Sequence, residues 1–204
     1  DYTGYDTVSI SAPKEGLYSL TYVNDKFFAI GKDIVTSDNG IEWSVVFDFG
    51  SQLYNQINNL RYVNTTHYVG YIAVGGGDQV ISGAGTPAPV VQFSTRVLTS
   101  LDGITWQTFN PSFTTRMMNT VISSDDTIVV AGTAGEIWTS SNARNWMKVE
   151  SNVTSTLRDS AYGNGVFMAV ASGSTAAAYS ATGVSWTATG ALPASTTWTG
   201  VAYG

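Results

Sequence analysis

The sequence predicts an all-β protein assembled from a repeated unit of four short strands. A phrase that ends in tryptophan recurs along the chain, and Trp106, Trp146 and Trp186 follow one another at intervals of 40 residues. Only 12% of the residues are charged, below the roughly 25% typical of globular domains. No segment combines helical periodicity with helix caps. A repeat of this length is typical of stacked or ring-shaped arrays, in which each unit buries its faces against its neighbours.

Two phrases define the units. The first closes with tryptophan and occurs at 36–43, 99–106, 139–146 and 179–186. The second lies upstream and occurs at 20–23, 60–63, 120–123 and 160–163, with a fifth copy at 200–204. We therefore expect a single domain over 1–204 with units at about 17–50, 57–110, 117–150 and 157–190, and a partial fifth unit that combines 197–204 with 3–10.

The last full unit shows the predicted strands most clearly. Its expected strands are Arg158–Tyr162, Val166–Ala171, Ala176–Ser180 and Val184–Thr189. Asn164-Gly165 separates the first two, and Asn-Gly between two β-rich runs favours a tight hairpin because both residues tolerate positive φ.

The tryptophan phrase predicts a turn between the third and fourth strands. An aspartate or asparagine side chain can accept hydrogen bonds from main-chain N–H groups of the turn, and glycine supplies the positive φ. The tryptophan ring then packs on the sheet, where its indole N–H can reach a carbonyl group. The residues expected in these roles are Asp38, Gly40 and Trp43; Asp102, Gly103 and Trp106; Asn142 and Trp146; and Gly183 and Trp186.

These phrases resemble the Asp-box (BNR-like) repeats of sialidase-like and related β-propellers. Thr36-x-Asp38-x-Gly40-x-x-Trp43 matches the pattern, whereas Asp102 is displaced by one position, Asn142 replaces aspartate and the last copy has Thr182. The phrases at 161–170 and 180–186 are also similar to repeats of bacteriophage tail and virion proteins. The resemblance covers about 17–204 and implies a β-propeller of four-stranded blades.

The repeat predicts four complete blades and part of a fifth. Tyr203 belongs to the first strand of a fifth blade, and Tyr5–Ile10 falls where its fourth strand is expected, so the N- and C-terminal strands could close a five-bladed ring together. The second and third strands of that blade are not recognisable. Either the blade is incomplete, or the chain continues past Gly204, or a partner supplies the rest, and we favour a fragment of a longer chain. A linear stack of units stays open as an alternative to the ring.

Composition restricts the classes of partner. The formal net charge of -6 argues against a nucleic-acid-binding surface, which needs cations to neutralise phosphates. No apolar run approaches the ~20 residues of a membrane-spanning helix, so we expect no membrane insertion. The chain has no cysteine, which excludes disulfides and thiolate metal sites. We expect no metal and no cofactor.

Two departures from the repeat predict a binding face. The segment 48–57 lengthens the connection between the first two units, and 75–94 lengthens the connection between the second and third strands of the second unit. Both connections emerge on one face of a propeller, and insertions often carry function. The expected contact residues are Asp48, Gln52, Tyr54, Asn55, Asp78 and Gln79. Tolerated loops or contacts with a neighbouring subunit are the alternatives.

We expect no enzymatic activity and name no catalytic residue. Sialidase-like catalysis needs converging arginines and a tyrosine nucleophile, yet Arg61 and Arg158 lie in first-strand phrases and are not expected to converge. A retaining glycosidase needs two carboxylates roughly 5 Å apart, and Asp125-Asp126 are more simply turn residues. His67 is the only histidine and is expected within a strand.

The functional prediction is a non-enzymatic structural and interaction module of a phage tail or virion-surface protein. Its expected partners are a host-surface glycan or other virion and tail subunits, and its expected location is the virion surface or the extracellular space. A homo-oligomer stays open. A free-standing propeller lectin is the alternative, and a sialidase-like glycosidase is the less favoured one. The family resemblance and the low-charge, acidic composition are the basis of this prediction.

Overall fold

A computed structural model describes residues 16–49, 55–82, 90–109, 116–193 and 198–204. These residues form four antiparallel sheets, each of four strands connected in chain order. The strands are β1 (Leu17–Val23), β2 (Lys26–Gly31), β3 (Asp33–Ser37), β4 (Ser44–Asp48), β5 (Gln56–Thr65), β6 (Tyr68–Ser82), β7 (Val90–Ser100), β8 (Gln107–Phe109), β9 (Met118–Ser123), β10 (Ile128–Gly132), β11 (Ile137–Ser140), β12 (Met147–Val149), β13 (Leu157–Gly163), β14 (Val166–Ala171), β15 (Ala177–Ser180) and β16 (Thr187–Ala188). A short 3-10 turn, Thr133–Gly135, joins β10 to β11.

The all-β prediction and the four-stranded unit are confirmed. Each predicted unit becomes one sheet of consecutive strands, a propeller-like arrangement. In the last unit, the observed strands β13 to β16 agree with the prediction to within about three residues at every end. Residues 198–204 form no strand, and 3–10 lie outside the described residues, so the fifth unit stays a prediction.

The hydrophobic core lies between the sheets. Within the described ranges it divides into three clusters, one between each pair of consecutive sheets. The first is built around Phe28, Ile30, Leu60 and Leu98, the second around Ile72, Val97, Val130 and Trp138, and the third around Val129, Leu157, Phe167 and Trp186. Because both faces of an inner sheet are buried in this way, its second and third strands read as apolar runs without clean alternation.

The four tryptophan turns, residues 37–43, 100–106, 140–146 and 180–186, share one hydrogen-bond pattern. The indole Nε1 donates to the carbonyl oxygen three residues earlier, at 3.1 Å for Trp43, 3.2 Å for Trp106, 3.3 Å for Trp146 and 2.9 Å for Trp186. The residue that supplies this carbonyl has a φ between 59° and 76° in every turn. Three of these residues are glycine, and Ala143 takes the same left-handed conformation.

The prediction that Asp38 caps the first tryptophan turn is wrong. The acceptor is Asn39, whose Oδ1 receives the main-chain N–H groups of Ile41 and Glu42, both at 2.9 Å. The carboxylate of Asp38 instead pairs with Lys26 Nζ at 2.6 Å. Asn39 follows the turn serine by two residues, as the acceptors of the other turns do: Asp102, Asn142 and Thr182. Asp102, which the sequence pattern placed one position out of line, is therefore in the same position as the acceptors of the other turns.

His67 is also not a strand residue. It is exposed in the two-residue turn between β5 and β6, after Thr66. Val23↔Lys26, Thr65↔Tyr68 and Gly163↔Val166 are equivalent pairs in three of the hairpins, so His67 occupies the place of Asp25 and Gly165.

The segment at 75–94 is mostly paired strand rather than a loop. β6 has 15 residues and β7 has 11, and their antiparallel register continues from Tyr71↔Ser100 out to Ser82↔Val90. The insertion therefore projects as an extended hairpin beyond the length of the other second and third strands. Its tip, residues 83–89, lies outside the described residues.

Every first strand contains a β-bulge near its beginning. The register skips one residue between Leu17 and Ser19 in β1, and the same skip occurs in β5, β9 and β13. A bulge re-aims side chains and increases the local twist of a strand. The skipped residues are Tyr18, Asn58, Asn119 and Arg158.

Candidate functional site: a central cavity lined by the first strands

The four skipped residues of the first strands line one cavity of about 550 Å³. This central cavity also receives side chains from the neighbouring positions of the same strands and from the C-terminal segment. Its described lining is Tyr18, Ser19, Gln56, Asn58, Asn59, Arg61, Asn119, Arg158, Asp159 and Thr199. Because every sheet contributes its first strand, the cavity lies where the four sheets meet.

The C-terminal segment repeats the first-strand sequence up to this cavity. Gly200-Val-Ala-Tyr203-Gly corresponds to Asp159-Ser-Ala-Tyr162-Gly, which places Thr199 in the position of Arg158. The main-chain N–H of Val201 donates to Asp159 Oδ2 at 3.0 Å. The ring of Tyr203 lies against Gly163, where a Cβ atom would overlap it. Residues 198–204 thus pack beside β13 in the register of another first strand, although they form no strand themselves.

Side-chain amides connect one unit to the next along the cavity wall. Asn58 Nδ2 donates to the carbonyl oxygen of Met118 at 2.9 Å, and Asn119 Nδ2 donates to the carbonyl oxygen of Leu157 at 2.8 Å. Met118 and Leu157 occupy equivalent positions, immediately before the bulge. The same link therefore joins the second unit to the third and the third to the fourth. It orders the amide groups that face the cavity.

The charges of the lining are two guanidinium groups and one carboxylate. Asp159 accepts hydrogen bonds from Thr120 Oγ1 at 3.4 Å and from Val201 N at 3.0 Å. Among the described residues, neither the side chain of Arg61 nor that of Arg158 forms a hydrogen bond or an ion pair. The described part of the lining therefore carries one excess positive charge, two minus one, in a chain whose net charge is -6.

The arginines contradict the expectation that Arg61 and Arg158 stay apart. Both line the central cavity, on β5 and β13 respectively. Sequence reasoning missed Asn58, Asn119 and Asp159 as well, although each lies one or two residues before the upstream phrase of its unit. The signal available was a polar residue directly after the first apolar residue of each first strand.

The predicted contact residues do not assemble into one described site. Asp48 is exposed at the end of β4. Asn55 is only 3% exposed and packs so closely against Gly77 that a Cβ atom added to Gly77 would overlap its side chain. Asp78 and Gln79 lie within β6, opposite Phe93 and Gln92. Gln52 and Tyr54 lie outside the described residues. None of the described ones lines the central cavity. Asn55 directly precedes Gln56, and Gln56 lines the cavity.

A second groove, of about 570 Å³, lies at the opposite ends of the strands between the second and third units. The tryptophan turns 100–106 and 140–146 form its walls together with His67 and Tyr68. Burial raises the pKa of Tyr68 to about 12, so its hydroxyl stays protonated and donates to the carbonyl oxygen of Tyr71 at 3.0 Å. Hydrogen bonds from Thr105 and Ile104 hold the pKa of Asp102 well below its usual range. Because these polar groups already stabilise turns, the groove is the weaker candidate.

Comparison with known proteins gives no family. No protein-family model matches the chain, and no curated protein is sufficiently similar to it.

The described lining of the central cavity offers hydrogen-bonding amide and hydroxyl groups together with charged groups. In its described lining, Asp159 is the only carboxylate, whereas retaining and inverting glycosidases use two. The described residues contain no cluster of three His, Cys, Asp or Glu side chains with the geometry of a metal site. Nor does any helix among them have the length and apolarity to cross a bilayer.

Proposed function

We propose that this chain is a non-enzymatic interaction module of a virion-surface or phage-tail protein that binds a host-surface glycan in its central cavity. The observation that carries the proposal is the convergence of one polar side chain from every first strand on a single cavity. A glycan presents many hydroxyl groups, and amide, hydroxyl and guanidinium groups match these with donors and acceptors. Specific small-ligand sites are usually concave and contain a few convergent polar groups.

The proposed architecture is a five-bladed β-propeller. Tyr18 of the first unit and Thr199 of the C-terminal segment line the same cavity, which favours a ring over a linear stack. The exposed outer side of the first sheet also favours a further unit there. Leu20 is 63% exposed, whereas its equivalents Leu60 and Val121 are 1% and 0% exposed because another sheet covers them. A fifth unit between the fourth and first sheets would cover Leu20 in the same way.

The amide links support binding rather than turnover. Asn58 and Asn119 are fixed by hydrogen bonds to the adjacent unit, so the cavity wall is preorganised and loses little side-chain entropy when a ligand binds. Asp159 accepts two hydrogen bonds and has no second carboxylate beside it in the described lining. This arrangement lacks the acid and nucleophile or base pair of glycoside hydrolysis. The virion assignment rests on the resemblance of the repeats.

A glycan array with the purified chain tests the proposal. Ser19→Trp places a large ring at the exposed, cavity-lining Ser19, and we expect it to abolish glycan binding. Ser185→Trp is the matched control, because Ser185 is also exposed but lies in a tryptophan turn at the opposite ends of the strands. Mass spectrometry of the recovered glycan should show an unchanged mass. Binding that survives Ser19→Trp, or a glycan shortened by the wild-type chain, contradicts the proposal.

A further inference from the structure

We propose that the ligand of the central cavity carries an anionic group, a carboxylate or a sulfate ester, and that Arg61 and Arg158 bind it. This inference rests on the proposed glycan-binding function and adds the chemical class of the glycan. Arg61 is half-buried on β5 and Arg158 is exposed at the bulge of β13. Both line the same cavity.

The fold does not require a cation at either position. The equivalents of Arg61 in the other first strands are Thr21, Ile122 and Ala161, none of them charged. The equivalents of Arg158 are Tyr18, Asn58 and Asn119, of which the two asparagines link adjacent units. Arg158 makes no such link to a described residue. The two arginines are therefore departures from the repeat, and both departures face the cavity.

The described lining of the cavity contains one carboxylate for two guanidinium groups. Asp159, the carboxylate of the described lining, is bound to Thr120 Oγ1 and Val201 N and forms no ion pair with either arginine. Two cations in one cavity repel each other, and an anion between them relieves that repulsion. The rest of the chain is acidic, with 15 aspartate and glutamate residues against 9 lysine and arginine residues. The described lining is thus locally positive in a negative protein, which favours an anion at this place.

A guanidinium group is suited to this ligand chemistry. It offers five N–H donors in a planar fork that can bind two oxygens of a carboxylate or sulfate at once. The surrounding amide and hydroxyl groups of Asn59, Ser19 and Thr199 can bind neutral sugar hydroxyls beside the anionic group. A uronic-acid glycan and a sulfated glycan satisfy this chemistry equally.

The test compares acidic and neutral glycans with charge-removing variants. The probes are an array of uronic-acid glycans, sulfated glycans and their neutral counterparts, followed by calorimetric measurement of Kd for the best acidic glycan. Arg61→Gln and Arg158→Gln should each weaken binding by about tenfold or more, the size expected for a lost charge-assisted hydrogen bond. Arg144→Gln is the matched control, because Arg144 is exposed on a tryptophan turn and away from the cavity. It should leave Kd unchanged.

The outcomes distinguish a failure of this inference from a failure of the proposed function on which it rests. Binding confined to uronic-acid or to sulfated glycans supports the inference and identifies which anion is recognised. Binding of neutral glycans that Ser19→Trp abolishes, but that the two arginine variants leave intact, contradicts the inference and preserves the proposed function. Absence of binding to any glycan contradicts both. If Arg61→Gln does not fold, Arg61→Lys keeps the charge without the fork, and should weaken binding severalfold at an unchanged Tm.

Discussion

Asn119 Nδ2 donates a hydrogen bond of 2.8 Å to the main-chain carbonyl oxygen of Leu157, which joins the first strand of the third unit to that of the fourth. Asn119 is only 6% exposed and also lines the central cavity. A single side chain therefore contributes to both the packing of two sheets and the shape of the proposed site.

Removal of this link should destabilise the protein. Asn119→Ala leaves the buried carbonyl oxygen of Leu157 without its donor, and we expect a loss of about 2 kcal/mol in the free energy of unfolding. Urea denaturation monitored by tryptophan fluorescence measures this loss. Asn145→Ala, at an exposed asparagine of a tryptophan turn, should change the free energy by less than about 0.5 kcal/mol. Equal effects of the two substitutions would show that the link between units contributes nothing.

Asn39, and not Asp38, should determine the stability of the first tryptophan turn. Asn39→Ala removes the acceptor of two main-chain hydrogen bonds, so we expect a loss of about 1 kcal/mol. Asp38→Ala removes only an ion pair with Lys26 in which the side chain of Asp38 is 77% exposed, and it should cost about 0.5 kcal/mol or less. Thermal denaturation of both variants compares them directly. A larger effect of Asp38→Ala would restore the register predicted from the sequence.

The indole N–H of Trp186 should contribute measurably to stability. Trp186 is 4% exposed, packs on Phe167 with ring centroids 6.2 Å apart and donates to Gly183. Trp186→Phe keeps an aromatic ring but removes the donor and part of the buried area, so we expect a loss of about 2 kcal/mol. Trp43→Phe makes the same change in a half-buried turn and should cost less. The reverse order of the two Tm values would contradict this account of the turns.

Acid should weaken the second tryptophan turn through Asp102. Hydrogen bonds from the N–H groups of Thr105 and Ile104 lower the pKa of Asp102 from its ordinary 3.8. Since the pKa is lower in the folded protein than in the unfolded one, this stabilisation is complete above the unfolded pKa and is lost as pH falls below it. Asp102→Asn keeps an acceptor oxygen that does not titrate. We expect its Tm to fall less than that of the wild type between about pH 5 and pH 2.

The third turn provides the reciprocal of this experiment. Asn142 Oδ1 accepts the N–H groups of Arg144 and Asn145 in the same geometry. Asn142→Asp should therefore add acid sensitivity over the same pH range. If neither Asp102→Asn nor Asn142→Asp changes the slope of Tm against pH, the turn acceptors do not control the response to acid.

The sequence predicted the repeated features of the fold and not its details of register. The tryptophan turns and hairpins follow from local residue preferences, so they can be recognised in a single sequence. Asp38 and Asn39 are adjacent and both suit a turn acceptor, and only the contacts to Ile41 and Glu42 distinguish them. The bulges depend on pairing between strands, which no local preference encodes.

The candidate site was missed for the same reason. Arg61 and Arg158 are 97 positions apart, and their convergence requires the stacking of three sheets and the bulge that re-aims Arg158. The binding face was instead predicted from the two insertions at 48–57 and 75–94. The extended hairpin there keeps its antiparallel pairing through Asp78 and Gln79, because β6 and β7 continue the ladder of the unit.

The distance between Tyr18, in the first strand of the first unit, and Thr199, in the C-terminal segment, tests the central claim most directly. Spin labels at positions 18 and 199, introduced through cysteines into a chain that has none, report this distance by electron-spin resonance. A ring around the central cavity predicts a separation of one or two sheet spacings, about 10–20 Å. A linear stack with four steps between these segments predicts about 40 Å. The shorter distance supports a cavity that all units share, and the longer one would contradict both the ring and the binding site built on it.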